Sequence, residues 1–260
     1  MAVVRFSKWH CLGNSYILVD REDLGAALSD ALARRLCDPG VGIGADGVLE
    51  IVAVAGARVE LLVWNPDGTT AELSGNGTRI AARWLAARDG YEEVRVAVGR
   101  REILARIRGG SLVEQDMGRV EVGKPEELLV KGERLIFTPV SVGNPHAVVH
   151  REPLRDALLR LGPLVEQHPR FPGRTNVQLV RTDGPHDVTA LVWERGAGET
   201  SASGTSACAI ASAAVANGSA ESPVTVHMPG GDLRVDVDDD LSVHLVGPAA
   251  EICRGEAFLG

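Results

Sequence analysis

Trp64-Asn65-Pro66-Asp67-Gly68, leading on to Ser74-Gly75-Asn76-Gly77, is answered 129 residues later by Trp193-Glu194-Arg195-Gly196, leading on to Ser203-Gly204-Thr205-Ser206. Ser follows Trp by ten residues in both copies. The same offset, within one residue, sets Leu12-Gly13-Asn14 opposite Val142-Gly143-Asn144 and Gly47-Val48 opposite Asn176-Val177. It also sets Val94, Val96 and Ile103 opposite Val224, Val226 and Leu233. One offset shared by four segments marks a duplicated unit. The expected division is therefore into two domains of roughly 130 residues each. The boundary is expected near Arg108-Gly109-Gly110, giving halves 1–109 and 110–249, with a C-terminal strand at about 250–260 rejoining the first half. Two like halves facing each other would form a cleft in which each supplies a matching group to one atom.

Composition narrows the classes of function. The 260 residues are 45% hydrophobic with mean hydropathy +0.03, as expected of a soluble chain with a proper core. A net charge of −8 disfavours nucleic acid and anionic membrane as partners. Met1 to His10 lacks the apolar stretch of a signal peptide. No apolar run reaches the roughly 20 residues of a membrane span. Cys11, Cys37, Cys208 and Cys253 show no metal spacing and no disulfide framework. They read as small hydrophobes in a reducing cytoplasm.

Alternation predicts strands at Val3–Phe6, Tyr16–Val19, Val59–Trp64, Val94–Val98 and Ile103–Ile107. The second half repeats the rhythm at Val177–Val180, Val188–Trp193, Val224–Met228 and Leu233–Val237. A short amphipathic helix is expected over Asp30–Cys37, capped by Ser29. Longer helices are expected from Asn76 to Arg88, ending at Gly90, and from Thr205 to Ala216, ending at Gly218. Ala207–Ala216 is small and apolar on every side, which predicts burial all round. A further helix, Leu154–Gln167, is expected to break near Gly162-Pro163. Each half reads as antiparallel strands wrapped about one buried helix, an α+β fold with two pseudo-symmetric domains.

Both Ser-Gly pairs stand where a helix begins. There the backbone offers unsatisfied N–H groups and the positive end of a dipole, and glycine lets a ligand approach. Ser74 and Ser203 are good N-cap residues, which alone explains either one; their symmetry argues for a second role. Asn14 with Asn144, and Asn65 with Glu194, occupy matched positions and suit a small ligand with several polar arms. His146 is a candidate acid–base or orienting residue. Glu194 and Arg195 are candidates for an ammonium and a carboxylate.

These motifs resemble the diaminopimelate epimerase family over nearly the whole chain. The match runs through Phe6-x-Lys8 to Gly13-Asn14, Gly42-Ile43-Gly44-Ala45-Asp46-Gly47, Asn65-x-Asp67-Gly68 and Gly75-Asn76-Gly77-x-Arg79. It continues in Gly143-Asn144-Pro145-His146, Asn176-Val177 and Glu194-Arg195-Gly196-x-Gly198-Glu199-Thr200 to Gly204-Thr205. The resemblance implies a cofactor-independent epimerase that inverts the Cα of diaminopimelate with two cysteines, one per half. It implies substrate binding by Asn14, Gly47, Asn65, Asn144, Asn176 and Arg195, with the backbone of Gly75-Asn76 and Gly204-Thr205 taking the carboxylate. His146 and Glu194 would flank the bases, and the family implies a homodimer. No metal, nucleotide or flavin motif is present.

Both cysteine positions of the family hold serine here, Ser74 and Ser203. A thiol has pKa about 8.5 and a helix start lowers it; a hydroxyl is a far weaker acid and a poor resting base. The expectation is an epimerase frame with impaired proton transfer. Cys11, Ser15, Gly47 and Ser206 also depart from the family's usual residues, which favours natural divergence over a deliberate double substitution. Two alternatives remain open: an isomerase or dehydratase of the same superfamily using Glu194 or His146, and a non-catalytic amino-acid-binding protein.

Overall fold

The computed structural model describes residues 2–71 and 74–259; Met1, Glu72, Leu73 and Gly260 lie outside the described residues. The chain splits into two compact units, Met1–Gln115 with Gly247–Gly260, and Asp116–Val246. The first crossing therefore comes a little after the glycines that were expected to mark it, inside a strand rather than in a loop.

The first unit opens with β1 (Ala2–Cys11), β2 (Asn14–Asp20), α1 (Arg21–Leu24), α2 (Asp30–Cys37), β3 (Val48–Ala55), β4 (Arg58–Trp64) and β5 (Thr70–Ala71). It continues with α3 (Gly75–Asp89), β6 (Glu93–Val98) and β7 (Arg101–Ile107). β8 (Leu112–Arg119) begins in this unit and ends in the next. The second unit holds β9 (Glu121–Val122), β10 (Glu126–Val130), β11 (Glu133–Ser141), β12 (Pro145–His150), α4 (Arg155–Glu166), β13 (Asn176–Gly184) and β14 (Asp187–Glu194). It closes with β15 (Gly198–Thr200), α5 (Gly204–Ala216), β16 (Val224–Met228), β17 (Gly231–Val237) and β18 (Ser242–Pro248). The last strand, β19 (Ala250–Leu259), pairs antiparallel with β1.

The duplication is exact at the level of strand register. Ile17 pairs with Val48 in the first unit, and Ala147 with Val177 in the second; both pairings are parallel. Val48 opposes Trp64 as Val177 opposes Trp193. Val59 lies parallel to Val96, and Val188 to Val226. Val96 then turns back against Ile103 as Val226 does against Leu233. The expectation of antiparallel strands throughout thus needs correcting. Each unit contains two parallel junctions, because the chain re-enters its sheet after a loop or helix rather than through a hairpin.

Each unit wraps its strands about one helix. α3 packs against β1, β2, β3, β4, β6 and β7, and α5 against β11, β12, β13, β14, β16 and β17. Ile80, Ala81, Ala82 and Leu85 of α3 are fully enclosed, as are Ala207, Cys208, Ala209 and Ala211 of α5. Small side chains let surrounding strands close on a helix from all sides. α5 is not buried to its end, however: Ala216 emerges to solvent in the last turn.

α4 runs unbroken through Gly162-Pro163, against expectation. Proline removes one backbone donor and its ring crowds the carbonyl four residues back, so a helix continues through it only where packing offsets that cost. Here packing does: a side chain at Gly162 would meet the Trp193 ring at 2.7 Å, so the glycine lets the helix lie flat on the indole. The same indole donates to Glu166 Oε2 at 2.8 Å, at the end of that helix. In the first unit Trp64 donates to Glu50 Oε2 at 2.9 Å. Each Trp is thereby anchored by a buried glutamate that also pairs with an arginine, Arg21 on Glu50 at 2.7 Å and Arg174 on Glu166. The two glutamates come from different elements, β3 and α4, so the anchor is shared although its residues do not follow the repeat offset.

No helix among the described residues is long and apolar enough to cross a membrane.

Candidate functional site

The site residues of the first unit gather at the start of α3. Ser74, in extended conformation, caps the helix by accepting from Gly77 N at 3.0 Å, and its carbonyl takes Thr78 N at 2.9 Å. The N–H groups of Gly75 and Asn76 are those the helix itself does not satisfy. Tyr16 Oη shares a hydrogen bond with Ser74 Oγ at 3.1 Å. Asn14, after the left-handed Gly13 (φ 89°), accepts from Asn76 Nδ2 at 3.0 Å. Gly143 has the same φ before Asn144, and this turn conformation favours glycine in both places.

Asn65 bonds Thr69 Oγ1 at 2.9 Å within its own turn. That turn is tied further by Thr69 on Asp67, which holds the Asp67 carboxyl below the ordinary carboxylate range. Gly47 has a packing reason of its own: a side chain there would meet the Tyr16 ring and the Trp64 carbonyl, each at 2.7 Å. Its smallness thus seats the tyrosine that reaches Ser74.

In the second unit Ser203 caps α5, accepting from Ser206 N at 3.4 Å, and donates to the Glu194 carboxylate. Burial raises the Glu194 carboxyl above its usual range, with the Ser203 bond opposing it. A carboxyl so placed exchanges protons closer to neutrality than an exposed one. His146 is enclosed, with Nε2 to Asn144 Oδ1 at 3.0 Å and Nδ1 to Gln178 Nε2 at 3.0 Å. Because Gln178 donates to Nδ1, the ring proton sits on Nε2 and points to Asn144. Burial, with the Arg195 charge nearby, drives His146 down to about 3, so the ring is neutral at physiological pH.

Gln178 also donates to Ser206 Oγ at 3.0 Å, tying β13 to the first turn of α5. Asn176 donates to Pro145 O at 3.1 Å and accepts from Arg195 N at 2.9 Å. The Arg195 guanidinium bonds Gly173 O at 3.1 Å. Gly204 is buried, and Thr205 beside it is partly exposed.

Cys11, Cys37 and Cys208 are buried and Cys253 is exposed. Burial, reinforced by Asp46, pushes Cys37 up to about 11. Burial also raises Cys11, against the pull of Arg79, and its thiol is spent on Asn76 O at 3.5 Å. Among the described residues, no group of three or more His, Cys, Asp or Glu side chains is placed to hold a metal ion.

The family model for diaminopimelate epimerase matches residues 6–123 and 138–251. The chain belongs to the diaminopimelate epimerase family. It is 41% identical to the diaminopimelate epimerase of Desulforudis audaxviator, covering 97% of this chain and 99% of that one. It is 37% identical to that of Carboxydothermus hydrogenoformans, covering 98% and 100%. Membership makes the chain an isomerase of the epimerase kind. Among solved structures, a hydroxyproline epimerase from Agrobacterium vitis, bound to trans-4-hydroxy-L-proline, superposes with a TM-score of 0.74 at 13% identity, over 99% of this chain and 91% of that one. A predicted epimerase from Pseudomonas aeruginosa gives 0.72 at 19%, over 99% and 100%. At such identities the likeness speaks for the fold alone.

Within the family frame, Asn14, Ser74, Gly75 and Asn76 cluster in the first unit, with Asn65 held in its own turn. In the second, His146 sits between Asn144 and Gln178, while Asn176 joins Arg195 to Pro145, and Glu194 joins Ser203. Sequence reasoning missed Tyr16, Gln178 and the role of Ser206. Tyr16 was findable, since it stands opposite His146 at the repeat offset. Gln178 was not, since its counterpart Leu49 is apolar.

Proposed function

We propose that this chain is built to bind diaminopimelate and to epimerise it between the LL and meso forms without a cofactor, in lysine and amino-acid biosynthesis. In this reading Ser74 and Ser203 occupy the positions of the two bases, and proton transfer is impaired because neither is a thiol. One observation carries the reading: both serines cap their helices and hold hydrogen-bonded partners, Tyr16 and Glu194, so the frame stands while the bases are gone. Asn14, Asn65, Asn144, Asn176 and Arg195 supply the polar arms for a diamino, diacid ligand. The Gly75-Asn76 and Gly204-Thr205 backbone receives the carboxylate at the reacting carbon. His146, neutral and fully engaged, orients Asn144 rather than shuttling protons. Gly47 serves the site through Tyr16.

The chemistry follows from acidity. The Cα proton is weakly acidic, so the base that removes it must be present in ionised form and close to the mark in pKa. A thiolate at a helix start satisfies this at neutral pH, and a serine hydroxyl does not. The proposal includes a cytoplasmic homodimer, which sedimentation would check.

Restoring both cysteines tests the reading. S74C/S203C is expected to raise epimerisation of LL-diaminopimelate by about 10³-fold or more, given the 10²–10⁴ supplied by a positioned proton-transfer group. A double variant that folds yet stays inert would reject the substrate assignment. A second reading draws on the raised Glu194 carboxyl: a related isomerase or dehydratase with Glu194 as base. There E194Q would abolish the activity and the cysteines would add nothing.

A further inference from the structure

Arg79 is the largest fully buried side chain among the described residues, and none of their carboxylates pairs with its charge. One guanidinium nitrogen reaches Gln115 Oε1 at 3.4 Å, another meets Asn76 Oδ1, the Cys11 thiol also bonds the guanidinium, and the buried Nε has no partner among the described residues. Gln115 is itself neutral and donates to Thr78 Oγ1 at 2.7 Å. The fully buried acid of this unit, Glu50, is by contrast paired with an arginine, and the buried Glu166 of the second unit is paired likewise. A buried charge without a counter-charge is costly, so a group that adds negative charge nearby relieves it.

The direction of the side chain says where that ligand sits. Helical side chains lean toward the N-terminus, and Arg79 reaches back one turn to Asn76. Its positive charge therefore adds to the dipole at the Gly75 and Asn76 N–H groups. The matched position behind α5 is Cys208, which carries no charge. Asn76 connects the two roles: one end of its amide touches Arg79 and the other touches Asn14.

We propose that Arg79 is a positioning residue whose buried guanidinium, without a carboxylate partner among the described residues, reserves the start of α3 for a ligand carboxylate, acting through Asn76, and that the matched position of the second unit has no equivalent. The proposal rests on the reading above that an amino-acid carboxylate binds at the helix start.

The test neutralises the charge without removing it. Gln115→Glu places a carboxylate beside Arg79 with almost no change of shape. Calorimetry on the full chain would use two probes, meso-diaminopimelate and pimelate, which keeps both carboxylates but lacks the amines. Gln115→Glu and Arg79→Gln are expected to weaken both by about tenfold or more, within the usual range of coupling between sites. Arg79→Lys is expected to stay within about threefold, since it keeps the charge. Circular dichroism confirms each fold, and if Gln115→Glu fails to fold, the Arg79→Lys and Arg79→Gln pair decides. Unchanged affinity in the folded neutralised variants overturns the proposal, as does equal loss in Arg79→Lys and Arg79→Gln. Wild-type chain that binds pimelate but not diaminopimelate breaks the proposed function and leaves Arg79 standing. Wild-type chain that binds neither overturns both.

Discussion

The start of α3 and the start of α5 share a backbone and differ in chemistry. Both are capped by serine, preceded by a Trp strand in the same register, and approached by a Gly-Asn turn with the same φ. Ser74 bonds a phenol, and Arg79 of its helix has no carboxylate partner among the described residues; Ser203 bonds a carboxyl of raised pKa, and the matched place of Tyr16 holds a neutral histidine. Strand pairing and helix capping constrain the backbone of both copies equally, whereas the side chains at the helix starts are free to diverge. The duplication thus preserves where groups are placed and not what they do.

The widest difference should appear on restoring one cysteine at a time. Two-base inversion needs both, so S74C alone and S203C alone are each expected to remain about 10²-fold or more below S74C/S203C in turnover of LL-diaminopimelate. A single variant that matches the double would show that one unit does the chemistry unaided.

Acid should unfold the second unit before the first. The folded pKa of His146, about 3, lies below the ordinary histidine value of 6.5, so the fold binds the proton less well than the unfolded chain. Stability from the neutral ring is present above pH 6.5 and lost as pH falls toward 3, at about 1.4 kcal/mol per unit. Between pH 6.5 and 4.5 that amounts to about 2 kcal/mol. Denaturant melts of wild type and H146Q across this window should show a shallower slope for the variant. A phenol ordinarily titrates near 10, outside this window, so Y16F should leave the slope unchanged.

The tryptophan anchors are expected to be equal. W64F leaves Glu50 Oε2 without its indole donor, and W193F does the same to Glu166 Oε2. Each should cost about 1–3 kcal/mol in chemical denaturation, the range for a stranded buried acceptor. Unequal losses would show that the two anchors, built from different elements, are not interchangeable. The smallest effect belongs to the caps: S74A and S203A should each lower stability by about 1 kcal/mol.

The sequence made the repeat legible because register and offset are linked. An offset of 129 or 130 carries Val48–Trp64 onto Val177–Trp193 in chain and in sheet alike. The helix starts were legible through Ser-Gly. Strands β8 to β12 were not, because Leu129 and Ile136 face solvent and spoil the alternation of Leu128, Val130 and Leu135 beneath. The continuity of α4 depends on the Trp193 ring, a tertiary contact with no local signature. In the site, the asparagines could be found by pairing them across the repeat. Gln178 and the surroundings of Arg79 could not, since one has an apolar counterpart and the other depends on tertiary neighbours, none of them a carboxylate among the described residues.

A single exchange measurement on the chain as it stands decides most. Incubated with LL-diaminopimelate in deuterium oxide and followed by proton NMR, the protein should bind the ligand yet leave its Cα proton in place. Deuterium appearing at Cα with inversion to the meso form would contradict the account, because it would mean that an epimerase carrying two serines still moves protons.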